Sequence, residues 1–407
     1  MISHDNVARD SKSKENIEQV RRICMLLHLP FLNDSRVYKE ARSLVRGGYD
    51  VTLFCLSHEA YAFEDVLDGI KVVRVPLLSS RMKKCLLRSV FKYVEFFWRV
   101  FLKVRQIHPH IIHCHDFPTL PMGYFMGLFT QSSLIYDSHE LFVGQRYIEK
   151  RNPCLRKLLK RTEILFASRG KWILQADSLR TQYFKKSTGL QNVETISNYA
   201  EDIGFNKQNL IRKKFGIPEK TVVLLYLGMI HSTGRGIRTI LKALDSIENA
   251  VFVAIGTLTP SGQNLLFKKE RTIDRAFYME PVPPWEVVRW ACGADIGLSL
   301  IENESASYRL CVPTKTYEYL MAGIPVIASN FPALSSLIDN NPIGKVGCVI
   351  DPYNSDELVQ AVKFIISDEE RMRKMKENAR RLALSYYNWT LGSEKKLLRL
   401  YKTLPGA

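Results

Sequence analysis

Two cations and one carboxylate, placed beside glycine turns, carry the most informative chemistry in this 407-residue sequence. In Val312-Pro313-Thr314-Lys315-Thr316-Tyr317-Glu318-Tyr319-Leu320-Met321-Ala322-Gly323-Ile324-Pro325-Val326-Ile327, Pro313 and Thr314 open a helix, Gly323-Ile324-Pro325 closes it, and a strand follows at once. Such a helix start exposes unpaired N–H groups and a positive dipole end, a ready diphosphate site, and Lys315 in the first turn adds a mobile cation. Glu318 sits one turn further in, where a carboxylate can accept from two neighbouring hydroxyls such as those of a ribose. An isolated Lys-x-x-Glu is otherwise an ordinary i,i+3 surface pair. The second stretch, Gly228-Met229-Ile230-His231-Ser232-Thr233-Gly234-Arg235-Gly236, leaves a predicted strand and enters a predicted helix. Its glycines let the backbone approach phosphates closely and Arg235 can grip two oxygens at once, although a plain tight turn has the same spelling.

The N-terminal half offers further groups at strand ends. Ile111-Ile112-His113-Cys114-His115-Asp116 and Tyr136-Asp137-Ser138-His139-Glu140-Leu141-Phe142 each run from an apolar strand into polar residues. His115 and Asp116 there suit acceptor contacts or general-base work. His139 follows the next strand, and a lone histidine in that place is otherwise a structural hydrogen-bonder. Asp34 and Arg36, after the first strand, read either as site groups or as caps of the helix that starts there.

Together with Asn33-Asp34-Ser35-Arg36-Val37, Ile196-Ser197-Asn198 and Tyr387-Asn388-Trp389-Thr390, these stretches span almost the full chain. The stretch from Val312 resembles the P-x-K-x-[FY]-E-Y-x-x-A-G-x-P-V-I signature of family 4 glycosyltransferases with the GT-B fold. The resemblance implies a nucleotide-sugar donor on the C-terminal domain, an acceptor on the N-terminal domain, retention of configuration, and no metal or other cofactor. It implies that Gly228, Arg235, Lys315 and Glu318 bind the donor, with Glu318 on the ribose. By the same resemblance His139 lies beside the donor sugar, where imidazole can hydrogen-bond a hydroxyl and stabilise the departing nucleotide. Two positions depart from the family pattern: Leu310 stands where its first glutamate falls, and Met229 where many members carry a second cation. Glu302 and Glu304 are candidates to supply the missing carboxylate to the sugar, or are merely solvated. The implied activity is transfer of a hexose-type sugar to a hydroxyl of a glycan or lipid-linked acceptor in polysaccharide or glycolipid assembly. A degenerate binding subunit and a GT-B-like epimerase or phosphorylase are the alternatives.

Short apolar runs alternating with amphipathic stretches predict the elements that position these groups. The class is α/β, with two Rossmann-like domains facing each other across a cleft and a helical C-terminal tail. After a disordered head (1–20), the first domain (21–200) has predicted strands at 23–29, 51–56, 70–75, 110–114, 133–137, 172–176 and 193–197 and a helix at 35–46. The second (201–385) has strands at 221–227, 251–255, 276–279, 295–300, 326–329 and 345–350, and residues 386–407 are predicted to return as a helix to the first domain.

Lys and Arg exceed Asp and Glu by 17, and residues 1–200 hold 31 basic against 19 acidic side chains. A predicted helix from Arg81 to Arg105 carries Lys84, Arg88, Lys92, Arg99 and Lys103 on an apolar background, and Lys150–Lys186 has 11 basic against 2 acidic residues. Both segments suit peripheral contact with an anionic membrane, each cation contributing roughly 1 kcal/mol near such a surface, or are simply solvated. No nucleic-acid-binding module accompanies the charge, so nucleic acid is not an expected partner. Eight cysteines without a C-x-x-C pair, a polar start and no apolar stretch of membrane-spanning length predict a cytoplasmic protein, able to sit on the inner face of the cell membrane.

Overall fold

In a computed structural model, described for residues 20–32, 34–83, 86–204, 209–267 and 275–405, the predicted strands assemble into two sheets. The first contains β1 (Arg22–Pro30), β2 (Asp50–Leu56), β3 (Glu64–Leu67), β4 (Ile70–Val75), β5 (Ile111–His115), β6 (Ser133–Ser138), β7 (Trp172–Gln175) and β8 (Val193–Thr195). Their order is β3-β4-β2-β1-β5-β6-β7-β8, and only the β3–β4 pair is antiparallel. Helices α1 (Ser35–Arg46), α2 (Leu86–Ile107), α3 (Asp116–Thr130), α4 (Arg146–Glu149), α5 (Pro153–Ala167) and α6 (Ser178–Thr188) accompany it. Covered on both faces, Ile23–Leu27 and Ile111–His115 are buried throughout, which is why the first reads as an unbroken apolar run, while the second also buries His113 and His115.

The second sheet runs β11-β10-β9-β12-β13-β14, all parallel. Its strands are β9 (Val222–Leu227), β10 (Ala250–Ile255), β11 (Ala276–Met279), β12 (Ile296–Ser299), β13 (Val326–Ser329) and β14 (Gly347–Ile350). Its helices are α7 (Leu210–Phe215), α8 (Ile237–Leu244), α9 (Pro260–Leu266), α10 (Val287–Ala291), α11 (Ala306–Arg309), α12 (Thr314–Met321), α13 (Pro332–Ile338) and α14 (Ser355–Ile366). Strand order reverses between β1 and β5 and between β9 and β12. Open α/β sheets bind ligands beyond the carboxyl ends of strands at such points, and here the two crevices face one another.

Three features differ from the sequence reading. β3 was not predicted; it is exposed and pairs through Asp68 (φ 49°) and Gly69 (φ 82°), an Asp-Gly hairpin signal visible in the sequence. The basic helix starts at Leu86 instead of Arg81, because residues 78–81 form a separate 3₁₀ turn. Glu95 holds that turn, accepting from Leu78 N, Ser79 N and Ser79 Oγ at 2.8, 2.9 and 2.6 Å. Lys84 lies outside the described residues, as do residues 1–19 of the predicted head. The tail is two helices, α15 (Glu369–Tyr386) and α16 (Lys395–Lys402), joined by a π-type turn over Trp389–Glu394. Trp389, Leu397 and Tyr401 share one core with Met25, Val37 and Ala41 of the first domain.

Candidate active site in the cleft

A cavity of about 540 Å³ opens between the two domains, lined by Asp34, Arg36, His139, Gly228, Met229, Arg235, Lys315 and Glu318 among others. On its C-terminal wall, Gly228 ends β9 at φ 115°, a conformation that side chains disfavour, and a Cβ on Gly256 would meet Gly228 O at 1.9 Å. The close approach requires glycine at 256, and the positive φ requires it at 228. The loop then carries Arg235 to Gly236, whose φ of 66° turns the chain into α8.

Arg235 and Lys315 share an unusual setting. Lys315, 8% exposed, holds its Nζ 3.6 Å from the centroid of the Tyr226 ring, and the Arg235 guanidinium lies 5.2 Å from that of Tyr308. Neither makes an ion pair or side-chain hydrogen bond among the described residues. Burial, then the charge of Arg235, pushes Lys315 well below the usual lysine range. Ring faces offset only part of the desolvation of a buried cation. Glu318, one turn into α12 and 9% exposed, is pushed up to about 7 by burial, against the pull of Lys39 and Lys315.

The N-terminal wall is a closed network. β5 and β6 run in register with His115 beside Asp137, and α1 lays Arg36 and Glu40 over them. Arg36 donates Nε to Asp137 Oδ2 at 2.8 Å, Nη2 to Oδ1 at 2.5 Å and Nη1 to Ile196 O at 2.5 Å, and also reaches Glu40 at 3.0 Å. His139 directs Nε2 at Asp137 Oδ2 (2.9 Å) and Nδ1 towards Asp116 Oδ2 (3.6 Å), while its backbone N–H donates to Asp116 Oδ1 (3.0 Å). Asp116 makes this contact from φ 61°, a left-handed conformation few side chains tolerate. Burial would raise Asp137, but Arg36 and His139 hold it well below the carboxylate range. Burial opposes the charge on His139, yet Asp116 and Asp137 raise it to about 10.

His115 is 1% exposed and sits beneath His139, away from the cavity wall, so the structure leaves it no direct contact with an acceptor. Asp34 caps α1, accepting from Arg36 N and Val37 N at 3.1 Å each. Glu302 and Glu304 do not line the cavity. The chain turns after β12 so that Glu302 accepts from Gly234 N (2.6 Å) and Gly236 N (3.2 Å), bracing the loop of Arg235, while Glu304 pairs with Arg146 at 2.8 Å. Leu310 packs against apolar residues of the first domain.

Arg180, which sequence reasoning missed, lines the cavity. It ties the domains together by donating to His139 O (2.6 Å), Ser307 O (3.0 Å) and Ser307 Oγ (2.9 Å). Partners so far apart in the chain leave no local signal. Glu40, His113, His115 and Asp137 bring ligand atoms within 4.8 Å of one another. Arg36 already supplies the cation to both carboxylates, so this donor set is committed to a guanidinium and does not suit a metal ion.

Residues 207–382 match the family model described as glycosyl transferases group 1, and residues 34–173 match the glycosyl transferase 4-like domain. Over 290 residues the chain is 24% identical to the chitobiosyldiphosphodolichol beta-mannosyltransferase of Candida albicans, covering 64% of this chain and 62% of that one. It is 26% identical over 235 residues to the putative teichuronic acid biosynthesis glycosyltransferase TuaH of Bacillus subtilis, covering 55% and 56%. The chain thus spans about three fifths or less of the length of these curated relatives. Among solved structures, sucrose-phosphate synthase from Thermosynechococcus elongatus superposes with a TM-score of 0.78 at 15% identity, covering 94% of this chain and 99% of that one. Anabaena HepE in complex with UDP-glucose superposes at 0.71 and 12% identity, covering 94% and 100%. These likenesses establish the GT-B fold.

Proposed function

The chain belongs to the family 4 glycosyltransferases, and on that premise we propose that it moves a hexose-type sugar, with retention, from a nucleoside diphosphate sugar to an acceptor hydroxyl. The observation that carries this reading is the pair of buried cations, Arg235 and Lys315, each resting on an aromatic ring without an anionic partner among the described residues. They and the N–H groups at the start of α12 take the donor diphosphate, so that negative charge developing on the leaving group meets positive charge. Glu318 accepts from the ribose hydroxyls, and His139 faces the sugar from the opposite wall.

The test is transfer activity and nucleotide affinity of Glu318→Ala and Arg235→Ala, with folding verified by circular dichroism. Each loses a charge-assisted contact of about 1.5–3 kcal/mol, so kcat/KM falls by roughly 10- to 100-fold. Wild-type rates in both variants would overturn the assignment.

The acceptor is a glycan or lipid-linked molecule, and a surface feature favours the lipid-linked class. Phe91, Trp98 and Leu102 of α2, Phe125 and Phe129 of α3, and Leu158 and Leu165 of α5 are exposed on neighbouring helices. Lys92, Arg99, Lys103, Lys157 and Lys160 stand on the same helices, although Arg99 pairs with Glu95 and Lys103 with Glu64. No helix among the described residues is long and apolar enough to cross a membrane. An apolar face studded with cations suits peripheral contact with an anionic bilayer through 81–105 and 150–186. Flotation with anionic vesicles should carry the protein upward, and neutral vesicles should leave it behind; equal behaviour in both would remove the membrane from the account.

A further inference from the structure

His139 places its two ring nitrogens near carboxylates of the protein itself, Nε2 at 2.9 Å from Asp137 and Nδ1 at 3.6 Å from Asp116, with His115 Nδ1 a further 3.1 Å neighbour of Nε2. Two carboxylates within 4 Å of one imidazole favour its charged form, which carries an N–H on each nitrogen. The surrounding charges agree with that form. Arg36 neutralises part of Asp137 and of Glu40 beside it, and burial pushes Glu40 up against the pull of Arg36. Burial lowers the β5 histidines His113 and His115, disfavouring their charged forms. From the turn before α1, Asp34 adds negative potential at His139, and from α6 Arg180 engages only its backbone oxygen.

We propose that His139 is a fixed positive charge on the N-terminal wall, that Asp137 is the positioning residue keeping it so, and that His139 takes no proton from the acceptor. This rests on the donor-site reading above and adds a third cation to Arg235 and Lys315, on the wall opposite Met229. The support for Asp137 extends to the chain's last helix. His113 Nδ1 meets Tyr401 Oη of α16 at 2.5 Å, its ring stacks on His115 at 4.4 Å, and His115 Nδ1 lies 3.3 Å from Asp137 Oδ2.

The experiment is an NMR titration of the full chain labelled with ¹⁵N-histidine, the His139 resonances being identified by their loss in His139→Gln. The wild type should show doubly protonated nitrogens for His139 from pH 6 to 8.5. In Asp137→Asn the midpoint should fall by about 2 pH units, the size of one adjacent carboxylate, and the transfer rate should acquire a falling limb at that new midpoint. Should Asp137→Asn fail to fold, Asp116→Asn removes the second carboxylate and should also lower the midpoint. A wild-type His139 that titrates between pH 6 and 7.5 overturns the proposal, as does an unchanged midpoint in the folded variants. The titration needs no substrate, so it can fail while nucleotide binding at Arg235 and Lys315 stands, and the converse is equally visible.

Discussion

Lys315 and Arg36 are both buried cations at the cleft, 8% and 3% exposed, and the fold treats them in opposite ways. Arg36 has all its charge answered within the protein, by both oxygens of Asp137, by Glu40 and by the Ile196 carbonyl. Lys315 makes no ion pair among the described residues and rests on the face of Tyr226, with Glu318 acting on it only at longer range. A desolvated charge with partners contributes to structure, whereas one without partners costs stability that only a ligand returns. On the proposed reading the same chemistry marks scaffold on one wall and a binding site on the other, and residue type alone does not distinguish them.

The comparison breaks most readily at Arg36. Arg36→Leu leaves Asp137 and Glu40 buried without their cation and should lower unfolding free energy by about 3–5 kcal/mol in urea denaturation. Lys315→Met should do the reverse, leaving stability equal or higher while nucleoside diphosphate affinity falls by roughly 10- to 100-fold, a loss of about 1.5–3 kcal/mol. If both substitutions destabilise alike, the two walls do not differ as described.

Proton linkage sharpens the contrast. Lys315 is held well below the usual lysine range, and a bound diphosphate raises it again, so binding should take up protons and affinity should fall as pH climbs through its free-state value. Calorimetry in buffers of different ionisation enthalpy measures that uptake, and Lys315→Met should abolish it. His139 behaves oppositely because its partners are already present. Raised from 6.5 to about 10, it contributes stability in full below pH 6.5 and loses it progressively up to pH 10. The melting temperatures of wild type and His139→Gln should therefore converge over that range. Smallest of all is Tyr401→Phe, which removes one buried hydrogen bond to His113 and should cost about 1 kcal/mol.

What the sequence made legible follows the range of the interactions involved. Helix α12 and its flanking turns are spelled locally by Pro313, Gly323 and Pro325, and α1 matches its predicted span residue for residue. Unbroken apolar runs marked the buried parallel strands within a residue or two. The pairings that make the N-terminal wall a network join residues far apart in the chain, such as Arg36 with Asp137 and His113 with Tyr401. No spacing rule reaches them. Glu302 looked like a free carboxylate in a loop because its partners, two backbone N–H groups of the Arg235 loop, carry no side-chain signature. Arg180 escaped for the same reason, its acceptors being mostly carbonyls.

On the proposed reading, Arg235 and Lys315 are held without an ion-pair partner among the described residues so that a diphosphate can take that place. Calorimetric titration of UDP, GDP and ADP into the wild type and into an Arg235→Ala, Lys315→Met double variant addresses it most directly. The wild type should bind at least one of the three, and the double variant should bind none while unfolding no earlier than the wild type. Undiminished binding by the double variant would contradict the account.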